Sequence, residues 1–266
     1  MSQEFKTLLT SDQGAVRIIT FNRPDLLNPL DVESGSELIK ALDMAEKSQK
    51  IRALVLTGKG KAFSAGGNVR LMAQGLSQGI RPSNFFREVA VLLNQSILAL
   101  RKLPKPVVCA MTGVAAGGGI GWALACDLVV AAENSVFDPG YVRIALTPDG
   151  GTSTFITRLI GLKKASEFFL LGKPMNAAKA LELGVINQTA KPDKVLETAL
   201  ALAQKLAQGP AEALAQTKRL LNQANLGDLA ERLEDERKTI EHQADQPDFK
   251  EGITAFFEKR KPIFKD

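Results

Sequence analysis

The sequence predicts an α/β protein with a wholly helical C-terminal region. Three observations carry that prediction. Short runs rich in β-branched residues alternate with segments of helical period through residue 193. Glycine-rich stretches follow two of those runs, at 58–68 and 113–121. From Lys194 onward every segment shows helical period and none reads as a strand. The chain therefore divides softly into a core, 1–193, and a helical region, 194–266.

Residues 15–21, A-V-R-I-I-T-F, follow Gly14 and suit a strand leaving a turn, which Asn22-Arg23-Pro24 ends. Asp31 is placed to cap a helix in which Leu38, Ile39, Leu42 and Ala45 recur at helical spacing. Residues 52–57, R-A-L-V-L-T, return as a buried strand, so the order is already β, α, β. Residues 58–68 read as a loop, 75–83 as a mobile surface loop, and 85–103 as a long amphipathic helix stopped by Pro104 and Pro106. Residues 107–110 are a short apolar run that suits a second buried strand. Glycines 113, 117, 118, 119 and 121 follow it, and Trp122, Ala123, Leu124 and Ala125 continue as a helix. Residues 152–159 and 163–171 read as helices broken by Gly161, with another at 176–183.

Hydrophobic residues make up 45% of the 266 and charged residues 24%, which is ordinary for a soluble globular chain. The net charge of +5 favours an acidic small molecule about as much as nucleic acid. The 85–103 helix is mostly apolar and lacks a basic stripe, which counts against RNA. Cys109 and Cys126 lie within apolar runs, so buried thiols in a reducing compartment are expected. No apolar run is long enough to span a bilayer and no cationic, apolar signal segment is seen at the start. A cytoplasmic protein is the expectation.

A strand ending in a glycine turn that opens a helix presents unpaired N–H groups at the positive end of a helix dipole. Without Cβ atoms it also lets a ligand approach the main chain closely. It is a place to hold a negative oxygen, and the 58–68 loop can face the same pocket. A dinucleotide fingerprint is disfavoured because the glycines are contiguous, and a phosphate loop because no Gly-Lys-Ser/Thr follows. Close helix packing is a fair account of Gly113 or Gly121. Asp149, in T-P-D-G-G-T-S, suits either a cap for the helix near Thr152 or a working carboxylate, and the residues alone leave both open. Asp138 and Glu133 read as solvated loop residues, and Tyr141, the sole tyrosine, as core. The single histidine, His242, lies in a polar helix, and no His, Cys or carboxylate cluster has metal-ligand spacing. The closing charged run at 258–265 reads as a solvated end.

Taken together, G-K-A-F-S-A-G-G-N, V-A-A-G-G-G-I-G and P-D-G-G-T-S resemble the enoyl-CoA hydratase/isomerase family, the crotonase superfamily. The resemblance extends to N-R-P-x-x-x-N at 22–28, G-x-x-x-K-A-x-E-F-F-L-L-G at 161–172, A-x-x-L-x-L-G-V-I-N at 178–187 and E-G-I-T-A-F-F-E-K-R at 251–260. It implies a crotonase-like ββα spiral core with a helical C-terminal trimerisation region, assembled as a homotrimer or dimer of trimers. It also implies an acyl-CoA substrate whose thioester enolate is held by the N–H groups of Gly67 and Gly118. Coenzyme A would then be part of the substrate, along Leu26, Ala65, Gly67, Asn68 and Val69, with Lys259 near a CoA phosphate, and no separate cofactor is implied.

The hydratases of the family place glutamates at positions matching Gly121 and Tyr141, and this chain has neither. Asp149 matches the working aspartate of some isomerases and of the chlorobenzoyl-CoA dehalogenases. The dehalogenases add a histidine where Asn94 stands. The expectation is therefore isomerisation of a 3-enoyl to a 2-enoyl thioester through Asp149. Hydration, thioester hydrolysis, dehalogenation and a non-catalytic acyl-CoA- or RNA-binding role are the alternatives.

Overall fold

The computed structural model describes residues 5–264. Strands β1 (Leu8–Gln13) and β2 (Val16–Phe21) form an antiparallel hairpin over Gly14, whose φ of 61° suits a glycine. β1 was not expected from sequence. Only Leu8 of it is buried, so it carries no apolar pattern. Helix α1 (Val32–Lys47) starts as expected at Asp31, which forms a capping box with Ser34 and sets the Leu38, Ala41, Leu42 and Ala45 stripe inward. β3 (Ala53–Gly58) is buried throughout, because parallel neighbours and two covered faces leave it no polar side.

The stretch read as a loop at 58–68 contains a short strand, β4 (Ala62–Ser64). The stretch read as a surface loop at 75–83 is mostly helix end and helix start. It closes α2 (Val69–Ser77) and opens α3 (Pro82–Lys102), with proline in the first turn, where its missing N–H is not needed. Then follow β5 (Val107–Met111), β6 (Val114–Ala116), α4 (Gly118–Ala125), β7 (Leu128–Ala132) and β8 (Val136–Asp138). α5 (Thr152–Leu170) is interrupted where expected, at Gly161, with φ 77° and ψ 159°. β9 (Met175–Asn176), α6 (Ala177–Glu182) and β10 (Gln188–Ala190) complete the α/β part. The last four elements are helices: α7 (Val195–Gln208), α8 (Ala211–Leu226), α9 (Leu229–Ala244) and α10 (Pro247–Glu258).

The strands form two sheets, one ordered β1-β2-β3-β5-β7-β10 and a smaller one ordered β4-β6-β8-β9. The chain repeatedly steps from the large sheet to the small one and then into a helix: β3 to β4 to α2, β5 to β6 to α4, β7 to β8 and on to α5. That is a spiral of ββα turns. Between the layers, Trp122 stacks on Phe21 at 4.6 Å and donates its indole N–H to Ser96 Oγ at 2.8 Å. On the large sheet's other face, Val195, Ala199, Ala203 and Ala207 of α7 meet Val16, Val55, Val108 and Val130. Leu229, Leu233 and Ile240 of α9 join the main core. The compositional change at residue 194 is thus no break in packing. Cys109 and Cys126 are buried free thiols, and among the described residues no helix is long and apolar enough to cross a membrane.

Candidate active site

β4 and β6 are parallel neighbours, so the glycine loops that follow them leave the small sheet side by side. They touch: a Cβ on Gly66, at φ 80°, would lie 2.6 Å from the Ala116 carbonyl oxygen. After β4, the Leu30 N–H donates to Gly66 C=O at 2.7 Å and the Asn68 N–H to Leu30 C=O at 3.2 Å. This bridge uses the groups flanking Gly67 and leaves the Gly67 N–H outside it. After β6, Gly117 turns with φ 49° and Gly118 is the first residue of α4, where an N–H has no intrahelical acceptor. Gly67 and Gly118 line one cavity of about 200 Å³. Two N–H donors from separate strand ends suit one anionic oxygen.

Asp149 lines the same cavity and is 7% exposed. Its Oδ1 accepts the Tyr141 hydroxyl at 2.8 Å and sits 3.3 Å from where a Cβ on Gly118 would be. Oδ2 takes no part in that bond. The carboxylate does not cap α5. Only the Asp149 main-chain carbonyl serves that turn, accepting Thr152 N–H at 3.1 Å. Burial pushes the Asp149 carboxyl up from 3.8 to about 7; the Tyr141 hydrogen bond opposes the rise and the negative charge of Glu236 adds to it. Burial, then the charge of Asp149, holds the Tyr141 hydroxyl well above its ordinary value, so it stays a donor.

Tyr141 is therefore more than core filling. It sits in the 3₁₀ turn Tyr141–Ile144, is 6% exposed and lines the cavity. No carboxylate stands at 121, and the backbone explains why none fits. A Cβ on Gly121 would overlap the Gly150 carbonyl oxygen and lie 3.1 Å from its carbon. The loop bearing Asp149 occupies the space a side chain at 121 would need.

Ala65 and Val69 also line the cavity, whereas Leu26, Asn68 and Lys259 do not. Asn68 caps α2, accepting Leu71 N–H at 3.3 Å, and both Leu26 and Lys259 are exposed. Asn94 turns away and donates to the Leu233 carbonyl on α9 at 2.9 Å. His242 is exposed beside Gln246. Asp138, read as a solvated loop residue, lines the cavity, and both its carboxylate oxygens accept from Arg143 Nη2. Met72, Phe86, Leu146 and Phe256 supply apolar walls from four different segments, which no local pattern reveals. Among the described residues no group of His, Cys, Asp and Glu is placed to hold a metal ion.

Comparison with known proteins identifies the family. A sequence model of the enoyl-CoA hydratase/isomerase family matches residues 11–266. The trans-2-decenoyl-[acyl-carrier-protein] isomerase of Streptococcus mutans is 31% identical over 98% of each chain. The 1,2-epoxyphenylacetyl-CoA isomerase of Escherichia coli is 34% identical over 97% of each. The crystal structure of an enoyl-CoA hydratase from Mycobacterium avium subsp. paratuberculosis superposes with a TM-score of 0.88 at 32% identity, covering 99% of this chain and 100% of that one. With a ββα spiral, paired glycine loops and a match across nearly its whole length, the chain belongs to the enoyl-CoA hydratase/isomerase family.

Proposed function

We propose that this enzyme moves the double bond of a 3-enoyl-CoA thioester into conjugation, with Asp149 as its single base. One observation supports this reading above the others: the buried Asp149 carboxylate lines the cavity with the two glycine donors, the other carboxylate on its wall, Asp138, is engaged by Arg143, and none stands at 121 or 141. The thioester oxygen would accept from Gly67 N–H and Gly118 N–H. Asp149 Oδ2 would take a proton from the α carbon, and the electron pair would pass onto that oxygen as an enolate. The same carboxyl would return the proton at the γ carbon, which restores the thioester and leaves the conjugated product. Atoms balance without water. Hydration would require a second group to activate water, and the space for one at 121 is filled.

Coenzyme A enters here as part of the substrate, running past Ala65, Gly67, Asn68 and Val69, with Leu26 and Lys259 assigned to its exposed end. The region 194–266 is assigned an assembly role, as a homotrimer or dimer of trimers. Leu220 and Leu221 on α8, 56% and 63% exposed, support an apolar contact there.

A base must be ionised to act, so the rate should follow the ionisation of Asp149. With a 3-enoyl-CoA substrate, kcat/KM is expected to rise with pH about an inflection near 7. Tyr141→Phe removes a hydrogen bond that favours the ionised form and should move the inflection upward. An inflection near 3.8, the ordinary aspartate value, or none at all, would overturn the assignment.

A further inference from the structure

The buried stripe of α9 is Leu229, Leu233, Glu236, Ile240 and Ala244. Glu236 stands in a row that helical period otherwise fills with apolar side chains. A carboxylate there costs free energy unless donors surround it, and they do. Oε2 accepts the Gly151 N–H at 2.6 Å, while Oε1 accepts the Ser153 N–H at 3.1 Å and the Ser153 hydroxyl. Those N–H groups open α5, whose own cap residue is Gly151 and has no side chain to serve them. One helix thus caps another across the core. The loop held in this way carries Asp149, and its Gly150 and Gly151 lie at φ 60° and 76°. Glycine leaves such a loop free to move unless something outside it holds it.

We infer that Glu236 is the positioning residue of the Asp149 site, anchoring by these hydrogen bonds the loop that carries Asp149. The inference rests on reading Asp149 as the base. A glutamine has one acceptor oxygen and an NH2 group, so it would accept from only one of the Gly151 and Ser153 N–H groups and set a donor against the other. The charge bears on Asp149: after burial, it is the other cause that raises the Asp149 carboxyl. Burial raises the Glu236 carboxyl as well, while Ser153 and the Gly151 and Ser153 N–H groups pull it down and favour its ionised form. Among the described residues, other charged and titratable groups at the site include Tyr141, on Asp149, and the Asp138–Arg143 pair on the cavity wall. Along α9, Arg237 is tied to Glu234 and Glu241, while Arg232 and, from α5, Arg158 are tied to Asp228. From α3, Arg87 reaches Glu241.

The test is the titration of Asp149 in the full-length, substrate-free protein, followed by carboxyl ¹³C NMR and assigned with Asp149→Asn. In Glu236→Gln the Asp149 midpoint is expected to fall by about one pH unit. At pH values above the inflection, kcat is expected to fall about tenfold with KM within about twofold. Glu236→Asp keeps the charge but shortens the reach, so its midpoint should stay near wild type while kcat falls. A folded Glu236→Gln protein with an unmoved midpoint and unchanged kcat would overturn the inference. If Glu236→Gln does not fold, a Glu236→Asp protein with wild-type kcat would overturn it instead. The titration uses no substrate, so an enzyme that fails to isomerise 3-enoyl-CoA would sink the proposed reaction and still leave this result readable.

Discussion

Asp149→Asn is expected to slow conversion of a 3-enoyl-CoA by about 10²–10⁴-fold, the usual worth of a general base, while acyl-CoA affinity stays within about threefold. Asparagine keeps the oxygen that accepts the Tyr141 hydroxyl, so the loop should hold its place. The same change should stabilise the fold. In the native state the Asp149 carboxyl binds its proton up to about 7, whereas in the unfolded chain it releases it near 3.8. Between those values the native state holds more protons, so wild-type stability falls as pH rises through the window and then levels off. The ionised carboxylate therefore weakens the fold above about 7 by several kcal/mol, ~4 at most. Thermal melts should show the variant more stable than wild type above that window and equal to it below. Equal melting at every pH, or turnover close to wild type, would contradict this account.

Gly121→Ala is expected to be costly far beyond one methyl group. Its Cβ would meet the Gly150 backbone, which cannot swing aside like a side-chain tip, and would lie 3.4 Å from Ile97 Cδ1. Overpacking of this kind costs about 1–3 kcal/mol, and the segment that must yield carries Asp149. A loss of about 100-fold or more in kcat/KM should accompany the lowered melting temperature, because misplacing a base by about 1 Å is enough. Gly121→Glu should be worse on both counts. The backbone thus accommodates Asp149 at its present position or a side chain at 121, and not both. A Gly121→Glu protein with wild-type stability that hydrates a 2-enoyl-CoA would refute that.

What the sequence disclosed follows the range of the forces involved. β2, β3 and β5 were legible because their apolar runs are local, and the break at Gly161 because a φ of 77° belongs to glycine. β4, β6 and β8 were not. Each spans three residues, and β4 and β6 lie within glycine-rich stretches, where sheet pairing rather than residue pattern sets them. β1 escaped notice as a polar edge strand. At the site, the two glycine turns and Asp149 stood out as residue types, and the family resemblance singled out Gly67 and Gly118 within those turns. Whether Asp149 was cap or site had no local answer, because the cap of α5 comes from Glu236, 85 residues beyond Gly151. Tyr141 lies only eight residues from Asp149, yet an isolated tyrosine gave no sign that its hydroxyl points there.

The most direct measurement supplies the protein with a 3-enoyl-CoA and, separately, a 2-enoyl-CoA, following conjugated thioester absorbance and product mass. The account predicts that the 3-enoyl substrate gains the conjugated absorbance with no change in mass and that the 2-enoyl substrate gains no water. A 2-enoyl substrate that instead gains one water would show hydration, and a single-base role for Asp149 would then be wrong.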